Sequence, residues 1–162
     1  MGGLANAIWG RPRTTLDADL KILVSFDELE ELVVQLGAQF RFRVENPLAF
    51  AQETLVILLQ SSVDVPIDLV LGLLPYEQEA AGRALPFTLA DVTFPVCTAE
   101  DLIIHKVISE RPQDWLDIEG VLQRQKGNLD MDYLNEWVAH FAQLLEKHEI
   151  WEKYVNLCQM EA

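Results

Sequence analysis

The N-terminal part of the chain alternates between strand-like and helix-like patterns of hydrophobic and polar positions. Over residues 16–24, apolar and polar side chains alternate with a period of two, which predicts a strand with one polar face. The apolar runs 54–60 and 65–71 are separated by a polar turn and predict a pair of antiparallel strands. Helices are predicted between these strands, because Asp27 and Asn46 are typical residues for helix starts.

The last third of the chain follows helical spacing. Thr98 and Asp101 resemble a capping box at the start of a helix. After Gly127, apolar residues recur every three or four positions and predict two amphipathic helices. We therefore predict an α/β (α+β) fold, with a mixed sheet flanked by helices in residues 1–96 and a C-terminal helical region in residues 97–162.

The composition is that of a folded, strongly acidic protein. Half of the 162 residues are hydrophobic, which suffices for a core of ordinary size and argues against disorder. The 26 acidic and 12 basic residues give a formal net charge of −14, which disfavours a broad nucleic-acid-binding face through long-range repulsion. Five basic residues lie within the first 43 positions of the chain: Arg11, Arg13, Lys21, Arg41 and Arg43. Singly they are typical of a solvated surface, and as a group they lie where a phosphate ligand is expected.

Cysteine usage and the lack of targeting signals predict a cytoplasmic protein. Cys97 and Cys158 have neither metal-binding nor CxxC spacing, so reduced thiols are expected. No apolar stretch is long enough to span a bilayer, and Met1 is not followed by the charged and apolar regions of a signal peptide. We therefore expect no membrane partner.

Three aspartates are the strongest candidates for chemistry. Asp17 and Asp19 lie two positions apart on a predicted strand, so their carboxylates share one face with Cα atoms roughly 6–7 Å apart. Asp68 lies within the second of the apolar runs, where an unpaired carboxylate is costly to bury. Three such carboxylates predict a site for Mg²⁺, which prefers oxygen ligands and carries nucleotide phosphates. The alternatives are an exposed acidic strand face and, for Asp68, an ion pair with Arg41 or Arg43.

Gly2-Gly3 and two nearby arginines predict contacts with phosphate. Glycines at a helix start allow a phosphate to approach the backbone N–H groups, although Gly-Gly is also ordinary loop sequence. Arg11 and Arg13 directly precede the acidic strand and would bind phosphate oxygens in a bidentate manner if a phosphate lies nearby. As surface charges they are otherwise unremarkable.

A second charged cluster lies in the predicted helices that follow Thr98. Lys106 occupies a position among apolar helix residues, from which its long side chain could reach solvent. Arg111, Asp114 and Asp117 have the spacing of a helix N-terminal cluster, where acidic residues are favoured. No Ser-His-Asp or Cys-His pattern indicates nucleophilic catalysis.

The acidic and glycine motifs together resemble the minimal and AbiEii-type nucleotidyltransferases of the DNA polymerase β superfamily. That family opens with Gly-Gly or Gly-Ser at a helix start, followed by a spacer, a D-x-D motif and a later single acid on a strand. Gly2-Gly3, the pair Asp17 and Asp19, and then Asp68 match this order. The resemblance implies a nucleotidyltransferase-like mixed sheet flanked by helices.

The downstream charged residues are also similar to motifs of this family. Lys106 corresponds to its downstream Lys, and Arg111, Asp114 and Asp117 correspond to its R-x-x-D-x-x-D motif. The resemblance spans residues 1–125. These motifs are specific for the superfamily and do not name a substrate.

The resemblance implies a two-metal transfer of a nucleoside monophosphate from an NTP to an acceptor hydroxyl. Asp17 and Asp19 would hold both Mg²⁺ (or Mn²⁺) ions, and Asp68 would hold the second ion and help activate the acceptor. The residues implied to bind the triphosphate are Gly2, Gly3, Arg13 and Lys106.

The resemblance also implies the kind of partner. Relatives occur in bacterial toxin–antitoxin or phage-defence pairs and modify tRNA ends or a partner protein. The competing hypothesis is a non-catalytic, antitoxin-like binding partner, since an acidic helical tail suits a basic protein. Nucleotidylation of a cationic small molecule is a third alternative.

One feature departs from the family pattern. The family has a helix and a strand before Gly-Gly, whereas Met1 directly precedes Gly2 here. Either the start lies too far downstream, or the strand beside the Asp17 strand is missing. We therefore expect an open sheet edge next to that strand, which a homo-oligomer could cover.

Overall fold

The computed structural model describes residues 2–161. In this range the chain forms eight α-helices, six β-strands and one turn of 3₁₀ helix, which confirms the predicted mixed α/β (α+β) class. The chain divides into two compact units. The first contains residues 2–4 and 14–83, and the second contains residues 5–13 and 84–161.

The first unit contains a four-stranded mixed sheet. Its strands are β1 (Ala18–Leu23), β2 (Arg41–Phe42), β3 (Val56–Gln60) and β4 (Pro66–Gly72). They lie in the order β1-β4-β3-β2, with β1 parallel to β4 and the other pairs antiparallel. The predicted antiparallel pair is therefore confirmed as β3 and β4. Among the described residues β1 has a strand partner on one side only, and it forms an edge of the sheet.

Four helices accompany the first unit. They are α1 (Gly2–Trp9), which continues into the second unit, α2 (Leu29–Gly37), α3 (Pro47–Thr54) and α4 (Pro75–Gly82). Asn46 caps α3 as predicted, because its Oδ1 atom accepts the N–H of Ala49 at 3.2 Å. The predicted helix start at Asp27 lies instead in the 3₁₀ turn Phe26–Glu28, which Ser25 begins through hydrogen bonds with Glu28.

The core of the first unit lies between α2, α3 and the central strands of the sheet. Ile57 and Leu59 are buried on one face of β3, as expected for alternate residues of a strand. The buried members of this core are Leu29, Val33, Ala51, Ile57, Leu59, Leu69 and Leu71. This packing fixes β3 and β4, and β1 is held through its parallel pairing with β4.

The second unit consists of a hairpin followed by four helices. Its elements are β5 (Leu85–Leu89), β6 (Val92–Val96), α5 (Ala99–Ser109), α6 (Pro112–Arg124), α7 (Met131–Leu144) and α8 (His148–Glu161). In the sequence, residues 89–96 are strand-like but interrupted by Pro95, and this pattern does not indicate the first strand of the hairpin. In the structure Pro95 lies opposite Pro86. Both strands of an isolated hairpin are edge strands, where a missing N–H donor is tolerated.

Helix α5 is the most deeply buried element of the second unit. Thr98 caps it as predicted, accepting the N–H of Asp101 at 3.1 Å and donating to its carboxylate at 2.7 Å. Fully buried apolar residues of α5 include Ile103, Ile104 and Val107. None of the helices in residues 2–161 combines the length and apolar character needed to cross a bilayer.

The compact units divide the chain at a different place from the sequence-based domains. The second unit begins near residue 84 and includes residues 5–13, whereas the sequence-based boundary lies between residues 96 and 97. The hairpin β5–β6 accounts for most of this difference, because the sequence assigned it to the sheet. The sequence-based domains stay a prediction.

Candidate functional site

The parallel pairing of β1 with β4 brings two of the predicted metal ligands together. Asp19 and Asp68 are direct partners in the register of the two strands. Neighbouring strands lie about 4.8 Å apart, and partners in register place their side chains on the same face. The two carboxylates are therefore side by side, and each residue is half-buried.

Asp17 joins this pair from outside the strand. The prediction that Asp17 and Asp19 lie on one strand is wrong, because β1 begins at Ala18 and Asp17 lies in the preceding bend. The hydroxyl of Thr15 donates to Oδ1 of Asp17 at 2.8 Å and stabilises this local turn. One carboxylate oxygen from each of the three aspartates nevertheless lies within 4.8 Å of the others.

This acidic cluster, Asp17, Asp19 and Asp68, has the donor chemistry of a divalent-cation site. Three carboxylates at such short range repel one another, and a cation relieves that repulsion. Oxygens on opposite sides of one octahedral Mg²⁺ lie about 4.2 Å apart, so the three side chains need to close only slightly around an ion. The cluster thus fits Mg²⁺ or Mn²⁺ by ligand type and spacing.

A basic side chain already contacts one member of the cluster. The guanidinium of Arg43, directly after β2, donates to Oδ1 of Asp68. This is the ion pair that the sequence offered as an alternative for Asp68. Arg41 makes a separate ion pair with Asp64 at 2.8 Å. Asp68 therefore has a positive partner whether or not it also binds a metal ion.

Gly2 and Gly3 lie against the cluster. The N–H of Gly3 donates to Oδ2 of Asp19 at a long 3.4 Å. Gly2 has a φ of +60°, and a Cβ atom at this position would overlap the carboxylate of Asp19. A Cβ atom on Gly3 would overlap the side chain of Thr15. The structure therefore requires glycine at both positions, and their contact with a triphosphate stays a prediction.

We expect Gly2→Ala to weaken Mn²⁺ binding about tenfold, because the new methyl group displaces Asp19 and the backbone must also hold a strained φ. Titration calorimetry with Mn²⁺ measures the effect. Gly82→Ala is the matched control, since a Cβ atom there meets nothing within 4 Å. Equal affinities of the two variants for Mn²⁺ would contradict a role of Gly2 in shaping the cluster.

Lys21 and Glu77 form a polar contact that the sequence did not predict. Lys21 lies two residues after Asp19 on the same face of β1, and its ammonium binds Glu77 of α4. Burial raises the pKa of Glu77, but hydrogen bonds from Lys21 and from the N–H groups of Leu74 and Leu73 lower it below its usual value. The spacing of Asp19 and Lys21 was visible in the sequence, whereas the position of Glu77 was not.

The second unit contains a buried ion-pair network centred on Lys106. The Lys106 side chain is 5% exposed, and its Nζ donates to Asp114 at 2.8 Å and to Asp117 at 2.6 Å. Arg13 donates to Asp117 from 3.2 Å, and Nε of Arg111 donates to Asp114 at 2.6 Å. The interpretation of Lys106 as a lysine that reaches solvent is therefore wrong.

Arg13 and Lys106 thus share a carboxylate partner. Both were expected to bind triphosphate, and both donate to Asp117. Asn6 also donates to Asp117, at 3.3 Å, which ties α1 to α6 within the second unit. The contacts show a structural ion-pair network, and triphosphate binding by Arg13 and Lys106 stays a prediction.

The network lowers the pKa values of its two aspartates. Burial raises the pKa of Asp114, but hydrogen bonds from Lys106, Ser109 and Arg111 outweigh it and hold the pKa below the ordinary 3.8. The same balance of burial against donated hydrogen bonds lowers the pKa of Asp117. Both groups therefore stabilise the folded state in their ionised form.

We expect the free energy of unfolding to fall as the pH drops below about 4, because the unfolded chain then binds protons that the folded Asp114 and Asp117 still exclude. The contribution is complete well above pH 3.8 and is lost as the pH falls through the lower pKa of the folded state. Urea unfolding at pH 6, 5, 4 and 3 measures it. Between pH 6 and pH 3 the free energy of unfolding of Asp117→Asn should fall by less than that of the parent. An equal fall in the two proteins would refute the contribution of Asp117 to the pH dependence.

The structure therefore places the predicted site residues in two groups. Asp17, Asp19 and Asp68 form one cluster with Gly2 and Gly3 beside it, all in the first unit. Arg13 and Lys106 belong to the network of the second unit. No protein-family model and no curated protein sequence matches this chain.

Proposed function

We propose that this protein is a divalent-metal-dependent nucleotidyltransferase that moves a nucleoside monophosphate from an NTP to a hydroxyl of RNA or protein and releases pyrophosphate. The observation that carries the proposal is the acidic cluster, in which Asp19 and Asp68 are in register on parallel strands and Asp17 reaches them from the preceding bend. This arrangement supplies oxygen ligands and no other donor type, as a Mg²⁺ or Mn²⁺ site for phosphate chemistry requires.

The three aspartates have distinct tasks in this proposal. When bound, the metal ions would neutralise phosphate oxygens and lower the pKa of the attacking hydroxyl. Asp17 would hold the ions from the bend before β1, and Asp19 would hold them from the start of that strand. Asp68, whose Oδ1 accepts a hydrogen bond from Arg43, would hold the second ion and so help to activate the acceptor hydroxyl.

The Gly2-Gly3 backbone would contribute to binding the triphosphate. Helix α1 begins at Gly2, so the first N–H groups of the helix lie beside the acidic cluster. Unpaired N–H groups at a helix start favour anionic oxygens, and glycine allows them to come close. The N–H of Gly3 donates to Oδ2 of Asp19 over a long distance of 3.4 Å. This hydrogen bond is weak, so a phosphate oxygen could replace the carboxylate as its acceptor.

The charge of the chain bears on the acceptor. A net charge of −14 disfavours a long nucleic-acid interface, so an RNA acceptor such as a tRNA end would be held only locally. A protein hydroxyl on a basic partner would be attracted over longer range. We propose that the reaction takes place in the cytoplasm and that the acceptor belongs to a toxin–antitoxin or phage-defence pair.

Label transfer tests the proposed activity. The protein is incubated with each α-³²P-labelled NTP and either Mg²⁺ or Mn²⁺, in the presence of total tRNA or of the protein encoded by the neighbouring gene. We expect label on one acceptor with the parent and none with Asp19→Asn. Label on RNA or on protein then names the acceptor class.

The ion pair of Arg43 with Asp68 favours a second candidate function. A guanidinium that neutralises Asp68 can take the place of a cation, which suits a catalytically weak or inactive protein that acts as an antitoxin-like binding partner. Absence of label under every condition, together with no measurable Mn²⁺ binding by the parent, would favour this function over the first.

A further inference from the structure

Helices α7 and α8 line an open groove that shares no residue with the acidic cluster or the Lys106 network. Its volume is about 440 Å³, within the range of ligand-binding clefts. Its lining residues come from both helices and include Met131, Asn135, Trp151, Tyr154, Val155 and Cys158. We refer to it as the α7–α8 groove.

The interior of the α7–α8 groove carries no charge. Its lining contains no Asp, Glu, Lys or Arg side chain. The hydroxyl of Tyr154 donates to Oδ1 of Asn135 at 3.1 Å, so this hydroxyl already has a partner within the groove. Burial raises the pKa of the Cys158 thiol, which therefore stays neutral at physiological pH. An occupant of this groove must present an apolar surface.

The rim of the groove is acidic. Successive residues of an α-helix are rotated by about 100° around its axis. Asp132 directly follows the lining residue Met131 in α7, and Glu152 directly follows the lining residue Trp151 in α8, so each acid lies about 100° from a lining residue. Glu161 lies about 80° from Trp151 on the other side of α8 by the same spacing. Among the described residues none of these three acids makes an ion pair.

The basic residues of this region lie away from the groove or are already bound. Helix α7 contains no Lys or Arg, and the one such residue in α8 is Lys153. Lys153 lies over the ring of Trp115, with its Nζ 4.2 Å from the ring centroid. Lys147, between the two helices, binds Glu110. The negative charge at the rim is therefore available to a partner.

We propose that the α7–α8 groove is a docking site for a basic amphipathic helix of a partner protein. Apolar side chains at positions i, i+3 or i+4, and i+7 of that helix would fill the groove, as in other helix-in-groove complexes. Lys or Arg side chains beside them would face Asp132, Glu152 and Glu161. The flexible side chain of Met131, which lines the groove, suits such a contact. The proposal does not depend on the transferase activity.

A model peptide tests this surface. The probe is an 18-residue, fluorescein-labelled helix with leucine on one face and lysine on the other, titrated with the full chain in 150 mM NaCl. We expect saturable binding that weakens about tenfold in the triple variant Asp132→Asn/Glu152→Gln/Glu161→Gln. Val155→Arg should weaken it at least as much, because it fills the groove and adds a repelling charge.

Matched controls separate docking from general attraction to an acidic protein. Glu30→Gln/Glu53→Gln/Glu79→Gln makes the same charge change on exposed residues of α2, α3 and α4 and should leave the affinity within about twofold. A peptide of identical composition but scrambled order should bind at least tenfold more weakly. Asp19→Asn should bind as the parent does, so loss of transferase activity leaves this test unaffected.

Three results would overturn the proposal. The first is an equal loss of peptide affinity in the groove and control triple variants. The second is unchanged affinity in Val155→Arg, with a folded variant verified by circular dichroism. The third is selective binding of a neutral apolar dye, N-phenyl-1-naphthylamine, without binding of the peptide, which would identify a small-molecule pocket instead.

Discussion

Replacing Asp19 by Asn is expected to reduce label transfer about a thousandfold and to weaken Mn²⁺ binding at least about tenfold. Asp19 is the partner of Asp68 in strand register and follows Asp17 by two positions, and one oxygen of each of the three carboxylates lies within 4.8 Å of the others. Metal ions supply several kcal/mol of charge stabilisation in phosphoryl transfer, and about 4 kcal/mol corresponds to a factor of a thousand. Transfer of α-³²P label measures the rate, and calorimetry measures Mn²⁺ affinity.

Asp64→Asn is the matched control for this experiment. It removes one carboxylate from the same unit, from an exposed residue whose ion pair with Arg41 lies on the surface. Asp64 has a positive φ of 58°, which asparagine adopts as readily as aspartate. The control should keep both activity and Mn²⁺ affinity. If Asp19→Asn keeps them as well, the acidic cluster is not a metal site and the proposed function fails with it.

Local elements of the fold were readable from the sequence because their signals are local. The caps at Asn46 and Thr98 involve residues three positions away, and both are confirmed by direct hydrogen bonds. The antiparallel pair of β3 and β4 is joined by a short turn and was predicted for the same reason. Strand starts were less accurate, since Asp17 belongs to a bend that Thr15 stabilises.

The sequence suggested that the three aspartates assemble, but it did not contain the pairing of strands that brings them together. A period of two shows which residues share a face, whereas it does not show which strands are neighbours. Asp19 and Asp68 meet because β1 pairs in parallel with β4, across more than forty residues of intervening chain. For the same reason the sequence could not decide whether Arg41 or Arg43 forms an ion pair with Asp68. In the structure Arg43 forms this ion pair, and Arg41 binds Asp64 instead.

The buried network around Lys106 shows where reading by residue type fails. A lone lysine among apolar residues was compatible with a side chain that reaches solvent, and acidic residues at the start of α6 were compatible with dipole stabilisation. Tight packing of α5 against α6 instead buries Lys106 with Asp114 and Asp117. Asp114 and Asp117 follow Lys106 by eight and eleven residues and lie in the next helix. Helical periodicity does not extend across the junction of two helices, so it could not predict these contacts.

Replacing Lys106 by Met is expected to lower the free energy of unfolding by about 3 kcal/mol, because it leaves Asp114 and Asp117 buried without the ammonium that binds both. The loss lies at the lower end for buried ion pairs, since Arg13 and Arg111 continue to neutralise the two carboxylates. Urea unfolding followed by tryptophan fluorescence measures the change.

Two further variants show whether the loss comes from unpaired buried charge. Lys153→Met removes a lysine that lies over an aromatic ring and should cost about 1 kcal/mol or less. Adding Asp114→Asn and Asp117→Asn to Lys106→Met should restore part of the stability. The cationic partners that then remain, Arg13 and Arg111, have 36% and 74% of their side-chain surface exposed and can be hydrated instead. A triple variant less stable than Lys106→Met alone would show that hydrogen bonding, rather than charge balance, dominates the network.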